Sequence, residues 1–573
     1  MPLRWLCNVG RLAAVCLILA AATARAQTVT LAQPVVTHDD LAVVLETGSR
    51  LERERRWAEA LSHYEDALRQ HPQRPDLQQR VTVARAHYEV CRRYNDQSFA
   101  TALATMTERE TLATYDEVLL KVQSHYVQEP QWQRLVSSGQ TSIQVAVTEP
   151  LFVARHLSST PVERLAALQR DVEHLVAARP VSDRRQANQL VATVAAALNE
   201  RYGLSRQAVV MEFVSGAAAA LDEYSSFLTG GQMDELFSQI EGNFVGLGVE
   251  LKTEPAGLTI VNVIPGGPAY VGGIRVGDLI VAVDGKTPAD TSPDTMADML
   301  RGLEGTQVAV SLRNSQGGLQ HLKLTRRRVE IPSVEQVKII DSQYGVGYFK
   351  LTSFQKTTSR DVDAALWKLH EQGMRQLVID LRGNPGGLLK ASVDVADKFV
   401  YDGMIVATRG RSPREDFDHK GVVAGTWRLP LVILIDRDSA SASEILAGAI
   451  RDQRRGTVVG EKSYGKGSVQ GIFPLASTNV GIRLTTAKWY TPSGQAISGA
   501  GIKPDVVVKP TSASKDAQKD LAVTALRPVD GAAPVTAAPK SDPFIEAALE
   551  VARSQSSSRR TAVAAPATLT AAP

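Results

Sequence analysis

The chain has 573 residues, of which 44% are hydrophobic and 22% charged, so several globular domains are expected rather than a disordered protein. Its 64 lysines and arginines nearly balance 61 acidic residues, which gives no sign of nucleic-acid binding. Three cysteines are too few for a disulfide framework or a multi-cysteine zinc site.

The first 26 residues have the pattern of a secretion signal. Arg4 and Arg11 precede an uncharged apolar run, and Ala24-Arg25-Ala26 fits a small-x-small cleavage site. The apolar run is shorter than the ~20 residues that a membrane-spanning helix needs. We therefore predict export to the periplasm or another extracytoplasmic space, with no stable membrane span after signal removal. A retained membrane anchor is the alternative.

Residues 27–100 have helical periodicity, with a spacing that resembles one tetratricopeptide repeat. The residues that carry this spacing are Gly48, Ala60, Tyr64, Ala67 and Pro72. No second good copy follows one period later. The segment is therefore either a lone helical hairpin that caps the enzyme or a module that docks a protein partner. Residues 101–241 are also mostly helical, with helices predicted at 115–126, 162–178, 184–202 and 208–221.

At Gly242 the pattern changes to short apolar runs separated by turns, which predicts a β-rich domain over 242–328. Its predicted strands are 245–251, 258–264, 279–283 and 307–312. From 329 to 510 strand and helix patterns alternate, which is typical of an α/β domain. Residues 511–573 are rich in Ala, Pro, Ser and Thr. We predict a flexible tail there, with one short amphipathic helix at 543–553.

Two segments of the α/β domain combine a turn with residues suited to chemistry. The first is a glycine-rich turn that leaves an apolar strand, Asp380-Leu381-Arg382-Gly383-Asn384-Pro385-Gly386-Gly387. The second, Ser439-Ala440-Ser441-Ala442-Ser443-Glu444, lies before a predicted helix, whose free N–H groups favour developing negative charge. Serines are also common helix caps, and the local sequence does not show which of Ser439, Ser441 and Ser443 would be a nucleophile.

A third segment, residues 460–470, nearly matches a phosphate-binding loop, with Gly460, Gly465 and Lys466 in place. Gly467 stands where a magnesium-binding hydroxyl is required. The residues that follow have a strand pattern, whereas a phosphate cradle needs a helix N-terminus. We therefore reject a nucleotide-dependent enzyme.

Lys466 instead suits the role of general base for a serine nucleophile, because no histidine has a recognisable triad context. The amine must then be neutral, which requires its pKa to fall from ~10.4 to about 7–8. Strand periodicity places Gln470 on the same face as Lys466, where its amide could orient the amine. A solvated surface lysine is the alternative.

At these residues the sequence strongly resembles the carboxyl-terminal processing peptidases, also called tail-specific proteases. The resemblance covers about residues 208–510. Besides the three segments above, it includes Asp222-Glu223-Tyr224-Ser225-Ser226-Phe227-Leu228, Tyr490-Thr491-Pro492-Ser493-Gly494 and Gly501-Ile502-Lys503-Pro504-Asp505. The family consists of serine endopeptidases with a Ser–Lys dyad and an embedded PDZ domain.

The resemblance implies a role for each candidate catalytic residue. Ser441 would be the nucleophile, Lys466 the general base and Gln470 the residue that orients the base. The N–H groups of Gly387 and Ala442 would form the oxyanion hole. No metal or organic cofactor is implied. Residue 495 is Gln where many relatives carry a basic residue, which bears on substrate preference rather than on the chemistry.

The resemblance also implies that residues 242–328 form the PDZ domain. Its carboxylate-binding loop would be Gly246-Leu247-Gly248-Val249, and the apolar Leu247 and Val249 would suit an apolar substrate C-terminus. A β-rich domain without a ligand is the alternative.

The predicted fold class is therefore multidomain α+β, with a tetratricopeptide-like helical region, a PDZ domain and an α/β serine peptidase domain. The expected partners are protein substrates with apolar C-termini. A rival interpretation is an adaptor with a vestigial peptidase domain, but the joint presence of Ser441, Lys466 and Gln470 argues against it.

Overall fold

The computed structural model describes residues 38–564, apart from 255, 292, 315, 423–425, 477–478 and 510–541. The predicted secretion signal at 1–26 therefore lies outside the described residues. The chain divides into two compact units, Met1–Tyr88 and Glu89–Pro573.

The first unit contains a helical hairpin, as the tetratricopeptide-like spacing predicts. Helices α1 (His38–Arg53) and α2 (Trp57–Gln70) are followed by α3 (Pro75–Asn95). Ala60, Tyr64 and Ala67 are buried on α2. Gly48 of α1 lies against the Tyr64 ring, since a Cβ at this position would come within 2.2 Å of it. The small residue therefore lets the two helices pack closely.

The second unit starts with a helical region that agrees with the predicted helices. It consists of α4 (Gln97–Thr105), α5 (Glu108–His125), α6 (Trp132–Ala146), α7 (Pro150–His156), α8 (Val162–Ala177), α9 (Arg184–Tyr202) and α10 (Arg206–Ala219). All residues of α10 from Ala208 to Ala218 are buried, which makes α10 the centre of this region. Strand β1 (Ser226–Leu228) and helix α11 (Gly230–Glu241) follow.

The β-rich domain is built on a five-stranded antiparallel sheet in the order β3-β4-β5-β6-β7. Its elements are β2 (Asn243–Gly246), β3 (Val249–Glu254), β4 (Gly257–Val263), α12 (Pro268–Val271), β5 (Leu279–Val283), α13 (Pro293–Met299), β6 (Gln307–Arg313), β7 (Leu319–Thr325) and β8 (Arg327–Glu330). The prediction of one strand at 245–251 is wrong. Gly248, with φ 79°, bends the chain, so β2 pairs with β8 while β3 forms an edge of the larger sheet.

The α/β domain contains two sheets. Its elements are β9 (Val334–Asp341), β10 (Val346–Leu351), α14 (Thr358–Glu371), β11 (Gln376–Asp380), α15 (Leu389–Asp397), β12 (Met404–Gly410), β13 (Phe417–Lys420), β14 (Leu431–Ile435), α16 (Ala442–Asp452), β15 (Thr457–Gly460), β16 (Ser468–Pro474), β17 (Gly481–Tyr490), β18 (Val506–Val507) and α17 (Pro543–Ala564). The main sheet has the order β18-β15-β14-β11-β10-β9, and the second has β1-β17-β12-β13 with β16 also on β17.

The α/β domain recruits chain segments from outside the predicted range 329–510. Strand β1, which precedes the β-rich domain, pairs antiparallel with β17. The β-rich domain is therefore an insertion between two strands that belong to the sheets of the α/β domain.

The flexible tail predicted for residues 511–573 requires correction at 543–564. Helix α17 begins at Pro543, where the sequence places a short helix, and continues beyond Arg553. Phe544, Ala548 and Ala552 pack with buried side chains of the main sheet. Arg553 forms an ion pair with Asp341 at 2.8 Å. The three buried residues recur every four positions, so one face of the helix packs on the sheet, which the overall composition of the tail does not show. The remainder of the predicted tail lies outside the described residues.

We expect Phe544→Ala to lower the free energy of unfolding of the α/β domain by about 3–4 kcal/mol, because it removes a fully buried aromatic side chain. Urea denaturation followed by circular dichroism measures this change. Glu550→Ala, on the exposed face of the same helix, is the matched control and should change little. Equal unfolding midpoints for both variants would show that α17 adds no stability.

Candidate active site

Two loops that carry candidate residues meet at one edge of the main sheet. Strands β11 and β14 are parallel neighbours, so the loops at their carboxyl ends emerge side by side. Asn384 of the first loop joins them, because its carbonyl oxygen accepts hydrogen bonds from Ala440 N–H and Ser443 Oγ, both at 3.0 Å. The glycine-rich turn therefore supports the turn that bears the three serines.

The three serines have different surroundings. The Ser439 and Ser443 side chains are buried, and their hydroxyls donate hydrogen bonds to the Leu381 and Asn384 carbonyl oxygens. Ser441 is partly exposed and has φ 54° and ψ −113°, an unfavourable backbone conformation at the N-terminus of α16. Such strain at a sharp strand-to-helix turn is typical of exposed nucleophiles. The structure therefore favours Ser441 among the three.

Two backbone N–H groups beside Ser441 have no hydrogen-bond acceptor among the described residues, those of Gly387 and Ala442. The Gly386 N–H, in contrast, donates to Asn384 Oδ1 at 2.9 Å. Gly386 also lies close to Ala442, since a Cβ on Gly386 would be 2.9 Å from the Ala442 nitrogen. The available donors are thus those that the sequence analysis predicts for an oxyanion hole.

A buried carboxylate, that of Glu444, connects Ser441 to the segment that carries Lys466. Its Oε2 accepts hydrogen bonds from Ser441 N–H at 2.8 Å and from Lys466 N–H at 2.9 Å. Its Oε1 accepts from Ser463 Oγ at 2.6 Å and from Gly465 N–H at 2.7 Å. Burial raises the pKa of Glu444, and the four donors oppose that rise.

This arrangement explains why residues 460–467 resemble a phosphate-binding loop. The backbone N–H groups of Gly465 and Lys466 bind an anion, but that anion is the Glu444 carboxylate of the same chain. The chain then enters strand β16 instead of a helix. Both observations agree with the rejection of nucleotide binding.

The Lys466 side chain is largely buried, and it lies against Tyr224. Its Nζ is 4.9 Å from the centroid of the Tyr224 ring. Burial, together with the nearby Arg483 guanidinium, lowers the pKa of the Lys466 amine, while Glu223, Glu444 and Asp222 oppose this. The direction of the shift is the one that a lysine base requires. Among the described residues, no hydrogen bond joins Lys466 Nζ to Ser441 Oγ.

The structure does not bring Gln470 into hydrogen-bond contact with Lys466. Its Nε2 donates instead to Ser468 Oγ at 2.9 Å. Ser468 and Gln470 thus share a face, as strand alternation predicts, but Lys466 precedes strand β16, which begins only at Ser468.

The predicted carboxylate-binding loop, Gly246 to Val249, lies where β2 gives way to edge strand β3. The Leu247 and Gly248 N–H groups have no hydrogen-bond acceptor among the described residues. The Leu247 side chain is buried in the core of the β-rich domain, and the partly exposed Val249 packs against the same core.

Three residues near Lys466 received no role from the sequence: Glu444, Tyr224 and Arg483. Glu444 follows Ser441 by three positions, the spacing of a helix capping box, and that signal could have identified it. Tyr224 and Arg483 approach Lys466 only because β1 pairs with β17. No local sequence pattern predicts such a contact.

The described residues contain no group of three or more His, Cys, Asp or Glu side chains arranged to hold a metal ion. None of the described helices has the length and apolar character of a membrane span.

Comparisons with known proteins agree on two regions. Residues 345–508 match peptidase family S41 and residues 259–314 match the PDZ domain. The carboxy-terminal-processing protease of Bartonella bacilliformis is 37% identical over 310 residues, which cover 53% of this chain and 70% of that protein. The carboxyl-terminal-processing protease of Synechocystis sp. is 38% identical over 298 residues, or 51% of this chain and 69% of that protein.

Among solved structures, a photosystem II D1 C-terminal processing protease is 26% identical to this chain, with a TM-score of 0.38. The alignment covers 71% of this chain and 94% of that protein.

We expect Glu444→Gln to lower kcat about ten- to hundredfold with little change in KM. The amide would direct N–H groups at backbone N–H donors and misplace both Ser441 and Lys466. Steady-state peptidase kinetics measure the change, with Glu546→Gln on the exposed face of α17 as the control. A normal kcat in a folded Glu444→Gln protein would contradict the positioning role.

Proposed function

Because the chain belongs to the carboxyl-terminal-processing peptidases of family S41, serine-type peptidases with a PDZ domain, we propose that Ser441 and Lys466 form its catalytic dyad. We further propose that the enzyme is exported and that its PDZ domain captures apolar protein C-termini. The observation that carries the dyad is the Glu444 carboxylate, one oxygen of which binds the backbone N–H groups of both residues.

In the proposed reaction, the neutral Lys466 amine removes the proton from Ser441 Oγ as that oxygen attacks the peptide carbonyl carbon. The carbonyl π electrons move to its oxygen, which the Gly387 and Ala442 N–H groups stabilise. The Lys466 ammonium then returns the proton to the departing amine, leaving an acyl-enzyme. Water, deprotonated by Lys466, attacks the acyl carbon and releases Ser441. Each cycle consumes one water and restores both side chains.

The competent geometry requires a movement of the Lys466 side chain. Its backbone is fixed by Glu444, whereas its Nζ lies on the Tyr224 ring in this structure. In the proposal, rotation of the lysine side chain from the ring towards Ser441 Oγ completes the dyad. Gln470 would take up its orienting role only after leaving Ser468 Oγ.

Substrate capture by the PDZ domain is supported by two features. Strand β3 is at the edge of its sheet, so an extended peptide can add to it through backbone hydrogen bonds. The Leu247 and Gly248 N–H groups at the start of this edge are available for a terminal carboxylate. Leu247 and Val249, which belong to the apolar core beside this edge, are the proposed contacts for an apolar last residue.

The role of the N-terminal helical hairpin is also a proposal. Its tetratricopeptide-like packing of Gly48 on Tyr64 suits either a cap for the enzyme or a surface that docks a protein partner.

We expect Ser441→Ala and Lys466→Ala each to reduce cleavage of a protein with an apolar tail by at least about a thousandfold. The first variant removes the proposed nucleophile and the second removes the proposed general base. Both proteins should stay folded by circular dichroism. Lys390→Ala, at an exposed lysine of α15, is the control. Near-normal cleavage by either dyad variant would refute the proposed dyad and leave an adaptor as the alternative.

We expect Gly248→Val to raise KM about ten- to hundredfold for the substrate with an apolar tail, because it disturbs the two N–H groups that receive the carboxylate. The same protein without its tail should be cleaved at an unchanged rate. Gly317→Val, in the β6–β7 turn, is matched in backbone strain, since φ is 79° at Gly248 and 83° at Gly317. Equal KM values for the two variants would contradict capture at this loop.

A further inference from the structure

The contact between Lys466 and Tyr224 has a chemical preference. An aromatic ring face attracts a cation through its quadrupole, within about 6 Å of the ring centroid, but gives a neutral amine no comparable attraction. At 4.9 Å, the Lys466 Nζ is within this range. The ring therefore favours the protonated amine, which cannot act as a base.

Tyr224 is held in place by its backbone. Its carbonyl oxygen accepts a hydrogen bond from Arg483 Nε at 2.9 Å, and its N–H donates to Asp222 Oδ1 at 2.8 Å. Two residues later, Ser226 pairs with Arg483 in the antiparallel contact between β1 and β17. The ring is thus presented by a turn whose backbone is anchored to β17.

We infer that Tyr224 is a positioning residue that holds the protonated Lys466 side chain on its ring and away from Ser441 until the enzyme is activated. This inference rests on the proposed function, since it names the regulation of the same dyad. It assigns the Asp222–Leu228 segment a task in the peptidase domain, although that segment precedes the PDZ domain in the chain. Activation would require the amine to leave the ring and lose its proton.

Other charged groups near Lys466 also influence whether its amine is protonated. Arg483 on β17 opposes protonation, and burial lowers the pKa of the lysine further. Asp222 and Glu223, before β1, and Glu444 on α16 favour protonation. Tyr464, in the segment before Lys466, interacts with Tyr224. Groups of opposite effect therefore surround the amine, and the ring contact adds to those that favour the protonated form.

Tyr224→Leu is the direct test, because leucine keeps the site apolar but removes the ring quadrupole. We expect the acidic limb of kcat/KM against pH to move to lower pH by about 0.5–1 unit, since Lys466 loses its proton more easily. Cleavage on that limb then rises about three- to tenfold. Tyr224→Phe retains the ring face and should leave the acidic limb at the pH of the wild type. Ser441→Ala supplies the background rate.

A second measurement does not depend on activity. In the Ser441→Ala protein, competitive labelling with trace acetic anhydride over a range of pH gives the pKa of the Lys466 amine. Adding Tyr224→Leu should lower that pKa by the same 0.5–1 unit, whereas adding Tyr224→Phe should not. If Tyr224→Leu does not fold by circular dichroism, Tyr224→Met is used in both measurements, because methionine is unbranched and similar in length.

The outcomes separate the two proposals. An unmoved limb and an unmoved labelling pKa in the folded Leu or Met variant would overturn the role of Tyr224 while leaving the dyad intact. Cleavage by Ser441→Ala equal to that of the wild type would overturn the dyad, and labelling would then still report the ring contact. A limb shift that Tyr224→Phe fails to restore would also overturn the inference, because the hydroxyl rather than the ring would be responsible.

Discussion

The Glu444 carboxylate is the interaction on which the geometry of the candidate active site depends. A buried carboxylate is costly unless its oxygens are satisfied, and here backbone donors from both sides of the site satisfy them. One oxygen is shared between the amides of Ser441 and Lys466, so neither residue's backbone can move without disturbing the other. The same carboxylate stabilises the strained turn at Ser441, because the Ser441 N–H donates a hydrogen bond to Glu444 in the first turn of α16. The backbone of the site is thus held at both residues, and the proposed mechanism needs movement only of the Lys466 side chain.

Much of the fold was readable from the sequence because its signals are local. The predicted helix at 184–202 and the predicted strand at 279–283 have the observed bounds. The alternating strand and helix pattern also indicates an α/β domain, and when two neighbouring strands are parallel the loops at their carboxyl ends must meet. The segments that contain Asn384 and Ser441 are brought together because β11 and β14 are neighbours, and that strand order is not readable from periodicity.

The features that the sequence did not reveal depend on long-range contacts or on small irregularities. Lys466 lies before strand β16, so the alternation that would place its side chain beside Gln470 does not extend to it, and the sequence pattern does not show where the strand begins. The buried side chain of Leu247 and the position of helix α17 depend on what each packs against. The near match to a phosphate-binding loop is a second case in which the local sequence does not reveal the contact partner. The chain does present anion-binding amides there, but the anion is the Glu444 carboxylate, and only three-dimensional proximity reveals this.

The pairing of β1 with β17 has a consequence for the order of assembly during biogenesis. Ser226 is synthesised early, yet its partner Arg483 comes after the whole PDZ insertion and most of the peptidase domain. Contacts of such high sequence separation form late and slow folding. Until the chain has been completed to Tyr490, the surroundings of Lys466 lack β17, which is the central strand of the second sheet and carries Arg483. In a nascent or truncated chain the environment of the proposed base is therefore incomplete, and the topology would delay activity until synthesis has passed β17.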